Sequence, residues 1–206
     1  MTERLRRLRP SDLDEDQRAV YRSITGGARA VGPQLFELVD GEGCLNGPFN
    51  AMLVAPRVGE PLQALGAAVR YATSLSGRIR EIAILAVATA TGSGFERYAH
   101  EPIGRAAGLT DGELRALREL GAFMPDDPAE ALALEVVVAL LGGRDVDDET
   151  YARARGLLGE VALVELSVLV GYYQALATTM RLFRIGAPRP AARAGDEDAV
   201  ITEQSE

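Results

Sequence analysis

The chain has 206 residues, a net charge of −8, one cysteine and 47% hydrophobic but only 5% aromatic residues. That much apolar material builds one core, or at most two small domains, and excludes an intrinsically unfolded chain, while the absence of any basic block disfavours nucleic-acid binding. There is no lysine, all 22 basic residues being arginine, so a Schiff base, a phosphate-loop lysine and a dithiol redox pair are excluded by composition.

Residues 1–10 form a basic lead-in without an apolar signal core. Ser11-Asp12-Leu13-Asp14 starts a helix that Gly26-Gly27 ends. Residues 28–47 are Gly-rich and irregular. Asn46-Gly47-Pro48-Phe49 opens a short helix that stops before Pro56, since proline suits the first helical turn. Glu60–Thr73 has Leu62, Leu65, Val69 and Ala72 on one helical face, and Arg78–Thr91 is an alanine-rich buried helix. Gly92 and Gly94 separate it from Phe95–Ala107, which ends at Gly108. Thr110-Asp111-Gly112-Glu113 has capping-box spacing for a helix reaching Gly121. Three more follow: from Asp126-Asp127-Pro128 to Gly142-Gly143, from Asp147 to about Leu158, and from Glu160 to Phe183. No strand pattern is present, and the expected class is all-α. Three segments emerge: an N-terminal helical extension (1–27), a helical domain (28–186) and a disordered acidic tail (187–206). The richest apolar run, Val161–Val170, is interrupted by Glu165, so no membrane span is expected. The lone cysteine points to a reducing, cytoplasmic setting, and the arginine-only, alanine-rich usage to a GC-rich bacterial genome.

His100 is the only histidine, and Glu96 precedes it by four residues. On a helix the two share a face. A carboxylate beside an imidazole orients the ring and raises its pKa, as general acid/base work requires; a surface pair of small energetic weight has the same spacing. Glu81 opens an otherwise apolar helix, either at its solvated first turn or dipped into a site. Tyr172 and Tyr173 read as core or interface packing.

The run Arg-x-Arg-Glu-Ile-Ala-Ile-Leu (78–85), then Glu96-x-x-x-His100 and Ala106-Ala107-Gly108-Leu109, resembles the carboxymuconolactone decarboxylase and alkylhydroperoxidase-D superfamily. Gly47 to Leu53, Pro56, Arg70-Tyr71 and the segment from Glu165 to Tyr173 extend the resemblance over about residues 45–185. The peroxidase branch has a Glu-x11-Cys-x2-Cys-x3-His motif; this chain reads Glu81, Ser93, Glu96, His100. Both cysteines are missing, so thiol peroxidase chemistry is not expected. The resemblance implies an alkylhydroperoxidase-D-like helical bundle that needs no cofactor and assembles as a homo-oligomer, a trimer or hexamer, with its site among helices near a subunit interface.

The resulting expectation is a lyase or decarboxylase acting on a small carboxylated lactone or keto/enol acid. His100 is the expected general acid/base, with Glu96 orienting it and Glu81 completing a relay. Arg78 or Arg80 would clamp a carboxylate, and Asn50, Tyr71 and Tyr98 are further substrate-binding candidates. Two alternatives stay open: a metal-dependent enzyme with Glu81, Glu96 and His100 as ligands, and a non-catalytic helical oligomer or ligand-binding member.

Overall fold

The computed structural model describes residues 3–27, 29, 31, 33–119 and 123–188. Its helices are α1 (Glu15–Thr25), α2 (Pro48–Val54), α3 (Pro56–Tyr71), α4 (Gly77–Thr91), α5 (Gly94–Ala106), α6 (Asp111–Ala116), α7 (Pro128–Leu141), α8 (Asp148–Leu158) and α9 (Glu160–Phe183). Among the described residues the only β feature is an isolated antiparallel bridge, Val39 to Leu45. The protein is all-α.

Local chemistry sets most boundaries. α1 begins later than expected: Asp14 accepts from the Gln17 N–H and closes a capping box, while Pro10–Asp12 forms a single 3-10 turn. Ser76, Ser93, Thr110, Asp127 and Asp147 each cap a helix through a side-chain oxygen. α6 closes at Ala116, short of the expected end at Gly121; residues 120–122 lie outside the described ones, as does the tail from 189 onward.

α4 is the central element and packs on α5, α7 and α9. Every residue from Glu81 to Ala88 is buried, which explains why its sequence has small and branched apolar residues on all sides rather than one stripe. The N-terminal segment joins the same core through Leu8, Leu13, Val20 and Ile24. Asn50 pins it: its Oδ1 accepts from the Leu8 N–H at 3.0 Å and its Nδ2 donates to the Arg6 carbonyl at 3.0 Å. By length and composition alone, the continuous segment Asp148–Phe183 is apolar enough to cross a membrane, which the interruption at Glu165 had argued against. One face of α9 nevertheless lies in the core with Leu166, Leu169, Tyr173 and Leu176.

α3 approaches α9 closely at Gly66, where a Cβ would overlap the Tyr172 hydroxyl and crowd the Arg29 guanidinium. This contact sets where the last turn of α3 lies. Gly66→Ala is expected to lower the urea midpoint by the equivalent of about 1–3 kcal/mol through overpacking, with helical circular dichroism retained below the transition.

Candidate active site

Glu81, the sequence's ambiguous acid, is 1% exposed, and Glu96 and His100 are 3% exposed each. α4 carries Glu81 inward one turn after its Ser76 cap. α5 presents Glu96 and His100 from one face, its start fixed by Ser93, whose hydroxyl accepts the Glu96 N–H. Ser93 stands where the peroxidase branch has a cysteine, and here it caps a helix.

The imidazole lies between the two acids. Nδ1 is 2.7 Å from Glu81 Oε2, while Nε2 is 3.5 Å from Glu96 Oε2 and 3.3 Å from the Tyr173 hydroxyl. The short contact selects the tautomer with the proton on Nδ1, leaving the Nε2 lone pair toward Glu96 and Tyr173. Glu81 is therefore the carboxylate that holds the ring, and Glu96 faces Nε2, whereas the sequence reading had Glu96 orient the ring and Glu81 complete a relay. The Tyr173 ring stands edge-on to the imidazole, with ring centroids 5.3 Å apart.

Burial dominates the electrostatics. It holds His100 below its ordinary value of 6.5, although Glu81 pulls it upward, which corrects the expectation of a raised imidazole pKa. The Glu81–His100 contact is accordingly a hydrogen bond of a neutral ring. Burial also pushes Glu96 up to about 8, with Arg70 pulling down and Glu81 pushing further up. The α5 N-terminus would favour the anion by at most about 1 kcal/mol, which is small beside the several kcal/mol that burying a carboxylate costs. The Tyr173 phenol is driven well above 10 by burial and stays an O–H donor. Near neutrality the site thus holds a neutral base beside a protonated carboxylic acid, with Oε1 of both Glu81 and Glu96 shielded and without a hydrogen-bond partner.

The other expected site residues are engaged elsewhere. Arg78 donates to Glu130 at 2.7 and 3.0 Å, to Glu113 at 2.7 Å and to the Gly108 carbonyl at 2.5 Å, tying α4 to α6 and α7. That bond holds the Glu113 carboxyl down at about 2. With its donors so occupied, Arg78 is a structural clamp between helices. Arg80 is nearer the cluster, Nε lying 3.7 Å from Glu81 Oε1. Asn50 has both ends committed to the N-terminal segment. Tyr98 points away from His100, as two residues of helix demand, and its hydroxyl accepts the Glu37 N–H at 3.2 Å. Tyr71 is half exposed and stacks under Arg70.

Two participants escaped the sequence reading. Tyr173, read there as packing, touches the imidazole. Arg70 had been noted only as part of a resemblance, and its charge reaches Glu81, Glu96, Tyr173 and His100. The adjacent placement of Arg70 before Tyr71, and of Tyr172 before Tyr173, held no periodic signal to reveal which member faces inward.

Glu81 and Glu96 approach opposite ring nitrogens, so the three side chains do not converge on one point. Among the described residues no group of three or more His, Cys, Asp or Glu side chains is placed to hold a metal ion. The Glu/Glu/His ligand set of the metal-dependent alternative is thus not assembled.

The fold and the site define a helical bundle with a buried acid–imidazole–acid array. Residues 56–139, from the start of α3 to near the end of α7, match the Carboxymuconolactone decarboxylase family model, and that match together with the helical fold supports the carboxymuconolactone decarboxylase and alkylhydroperoxidase-D superfamily. Three solved structures share the fold. A protein of unknown function from Agrobacterium tumefaciens, described as an antioxidant defence protein of the AhpD type, has a TM-score of 0.61 and 19% identity over 68% of this chain and 97% of its own. A peroxidase-related protein from Ralstonia eutropha JMP134, with an alkylhydroperoxidase AhpD core, gives 0.69 and 14% over 90% and 92%. A cysteine-to-alanine variant of the debrominase Bmp8, in complex with 2,3,4-tribromopyrrole, gives 0.68 and 15% over 91% and 93%. No curated protein matches the sequence.

The raised Glu96 carboxyl has a definite thermodynamic sign. Its protonated form is favoured by folding, so its contribution is fully present below the ordinary value of 4.5 and is lost as pH rises through about 8. His100 acts oppositely, but only below about 6.5. Between pH 6.5 and 8, denaturant titrations should therefore show wild-type stability falling relative to Glu96→Gln, which carries a permanently neutral amide. Parallel stability curves over that range would contradict a neutral buried Glu96.

Proposed function

We propose that the chain is a cofactor-independent lyase or isomerase that moves a proton at carbon in a small carboxylated lactone or keto/enol acid. The observation that carries this reading is the buried imidazole of His100, held through Nδ1 by Glu81 at 2.7 Å with Nε2 turned toward Glu96 and the Tyr173 hydroxyl. In a decarboxylation the C–C bonding pair passes into an enolate as carbon dioxide leaves, and Glu96 delivers the proton that quenches the carbanion. His100 then takes a proton at Nε2 from a water that enters as carbon dioxide leaves, the hydroxide joining the carbon dioxide as bicarbonate; the imidazolium, stabilised by Glu81, passes that proton to the Glu96 carboxylate. In an isomerisation His100 removes the carbon-bound proton and Glu96 supplies another. A low-dielectric site strengthens both transfers.

The family-model match over residues 56–139 supports an enzyme of this kind. The debrominase resemblance supports a pocket for small planar molecules in this fold, though that relative was captured with a cysteine replaced, and no thiol lies in this site: Cys44 is buried elsewhere, its thiol pushed up by burial. A cytoplasmic location fits that unpaired thiol.

Carboxylated butenolides and β-keto acids incubated with the protein in deuterium oxide should take up deuterium at carbon or release carbon dioxide, followed by NMR. His100→Ala and Glu96→Gln should each slow this by about 100-fold or more with helical circular dichroism intact. Undiminished exchange by His100→Ala would sink the mechanism and favour the non-catalytic alternative.

We also propose that the chain is a homo-oligomer joined through α9, the occupant of that face being a second copy. Val161, Val164, Val168, Gly171, Ala175, Thr178 and Leu182 form an exposed line at alternating steps of three and four residues, with Val161 66% and Val164 63% exposed. This is the spacing of a coiled-coil seam. Antiparallel copies crossing at Gly171 set the acidic Glu160 end of one helix beside the basic Arg181 end of the other. Val164→Glu combined with Val168→Glu should reduce the mass measured by light scattering without loss of helicity; an unchanged mass would place any assembly on another face.

A further inference from the structure

Arg70 closes α3 as its last-turn base. A guanidinium carries five N–H donors, yet Arg70 makes no hydrogen bond or ion pair with any described residue, and its Nε is fully shielded. Its one contact is with the face of Tyr71, Cζ lying 5.2 Å from the ring centroid. The other inward arginines behave differently. Arg78 is saturated by two glutamates and a carbonyl, and Arg29 donates to the Gln63 side chain at 2.7 Å and to its carbonyl at 3.2 Å. A shielded donor without an acceptor is costly and calls for an explanation.

The surroundings supply one. Arg70 acts electrostatically on Glu81, Glu96 and Tyr173, and the shielded Oε1 atoms of Glu81 and Glu96 also lack a hydrogen-bond partner. Unused donors from α3 and unused acceptors from α4 and α5 therefore belong to one cluster. The charges do not balance: Arg80 offsets Glu81, with which it pairs at 3.7 Å, Glu96 and His100 are neutral near pH 7, and Arg70 is left as one uncompensated positive charge. The cluster is short of one anion.

We propose that Arg70 is the anion anchor of this site, holding in a two-pronged hydrogen bond the one carboxylate that a small planar monoanionic substrate of the isomerisation keeps through the reaction, and presenting the reacting carbon to Glu96 and His100. This rests on the acid/base reading above and assigns the clamp to Arg70 in place of Arg78, which is fully engaged, and Arg80, which is directed at Glu81 and the Leu75 carbonyl. Gly66 contributes by letting α3 lie close enough to α9 for Arg70, one turn later, to act on Tyr173.

The test is binding of acetate, 2-furoate and benzoate, with 2-furamide as the uncharged counterpart, measured by ligand-observed NMR on wild type, Arg70→Gln, Arg70→Lys, His100→Gln and, as a control on the exposed start of the same helix, Arg57→Gln. The expected result is binding of at least one carboxylate by wild type and Arg57→Gln alike, weakened roughly 10–100-fold in Arg70→Gln and less in Arg70→Lys, which keeps the charge but loses the fork. Affinity for 2-furamide should be unchanged; an equal loss for amide and carboxylate would mean that Arg70 only shapes the fold, and would overturn the proposal. So would equal carboxylate affinity in Arg70→Gln, or no carboxylate binding by wild type. His100→Gln should bind carboxylate normally. The two readings fail separately: carboxylate affinity lost in Arg70→Gln while deuterium exchange survives in His100→Gln leaves the anchor and removes the acid/base mechanism, whereas the converse removes only the anchor.

Discussion

The 2.7 Å contact between Glu81 and His100 is the interaction around which this molecule is organised. It joins the central helix to α5 in a region with almost no solvent, where leaving either group unmatched would cost more than most single packing contacts supply. Keeping it buried requires α4 to be covered on nearly every side, which α5, α7 and α9 do. Keeping it oriented requires α5 to start at a fixed residue, which the Ser93 cap ensures.

Burial also decides the chemistry. The same two acids in water would be anions beside a half-protonated ring. Inside the bundle, the cost of bare charge neutralises Glu96 and His100 together, so the site holds an acid and a base at one pH. Such separation of roles by environment is what proton transfer at carbon demands. The arginines divide by the same logic. Where acidic partners are within hydrogen-bond reach, as for Arg78, positive charge becomes structure; Arg70, lying over the Tyr71 ring, has no such partner among the described residues.

Much of this was legible in the sequence. The helix pattern followed from capping residues and glycine stops, so α2, α4, α5, α7 and α9 fall close to their expected limits. α1 was placed too early because Ser11 and Asp14 are both capable caps, and the capping box that Asp14 closes with Gln17 chooses the second. The Glu96–His100 pairing followed from helical periodicity alone. That Glu81 rather than Glu96 holds the ring did not, because Glu81 lies on another helix and its distance to the ring depends on how α4 and α5 cross.

By itself, then, the sequence determined the helical class, the lone imidazole, the absence of a dithiol and the face shared by Glu96 and His100, because each depends on residue type or on contacts within one helix. The tertiary structure alone decided that Glu81 holds the ring, that Tyr173 reaches Nε2, that Arg78 is consumed by Glu113 and Glu130, and that Arg70 is left unpaired. The contacts among those outcomes join residues 19 to 73 positions apart, and nothing in local periodicity specifies which of two adjacent side chains a helix crossing will turn inward.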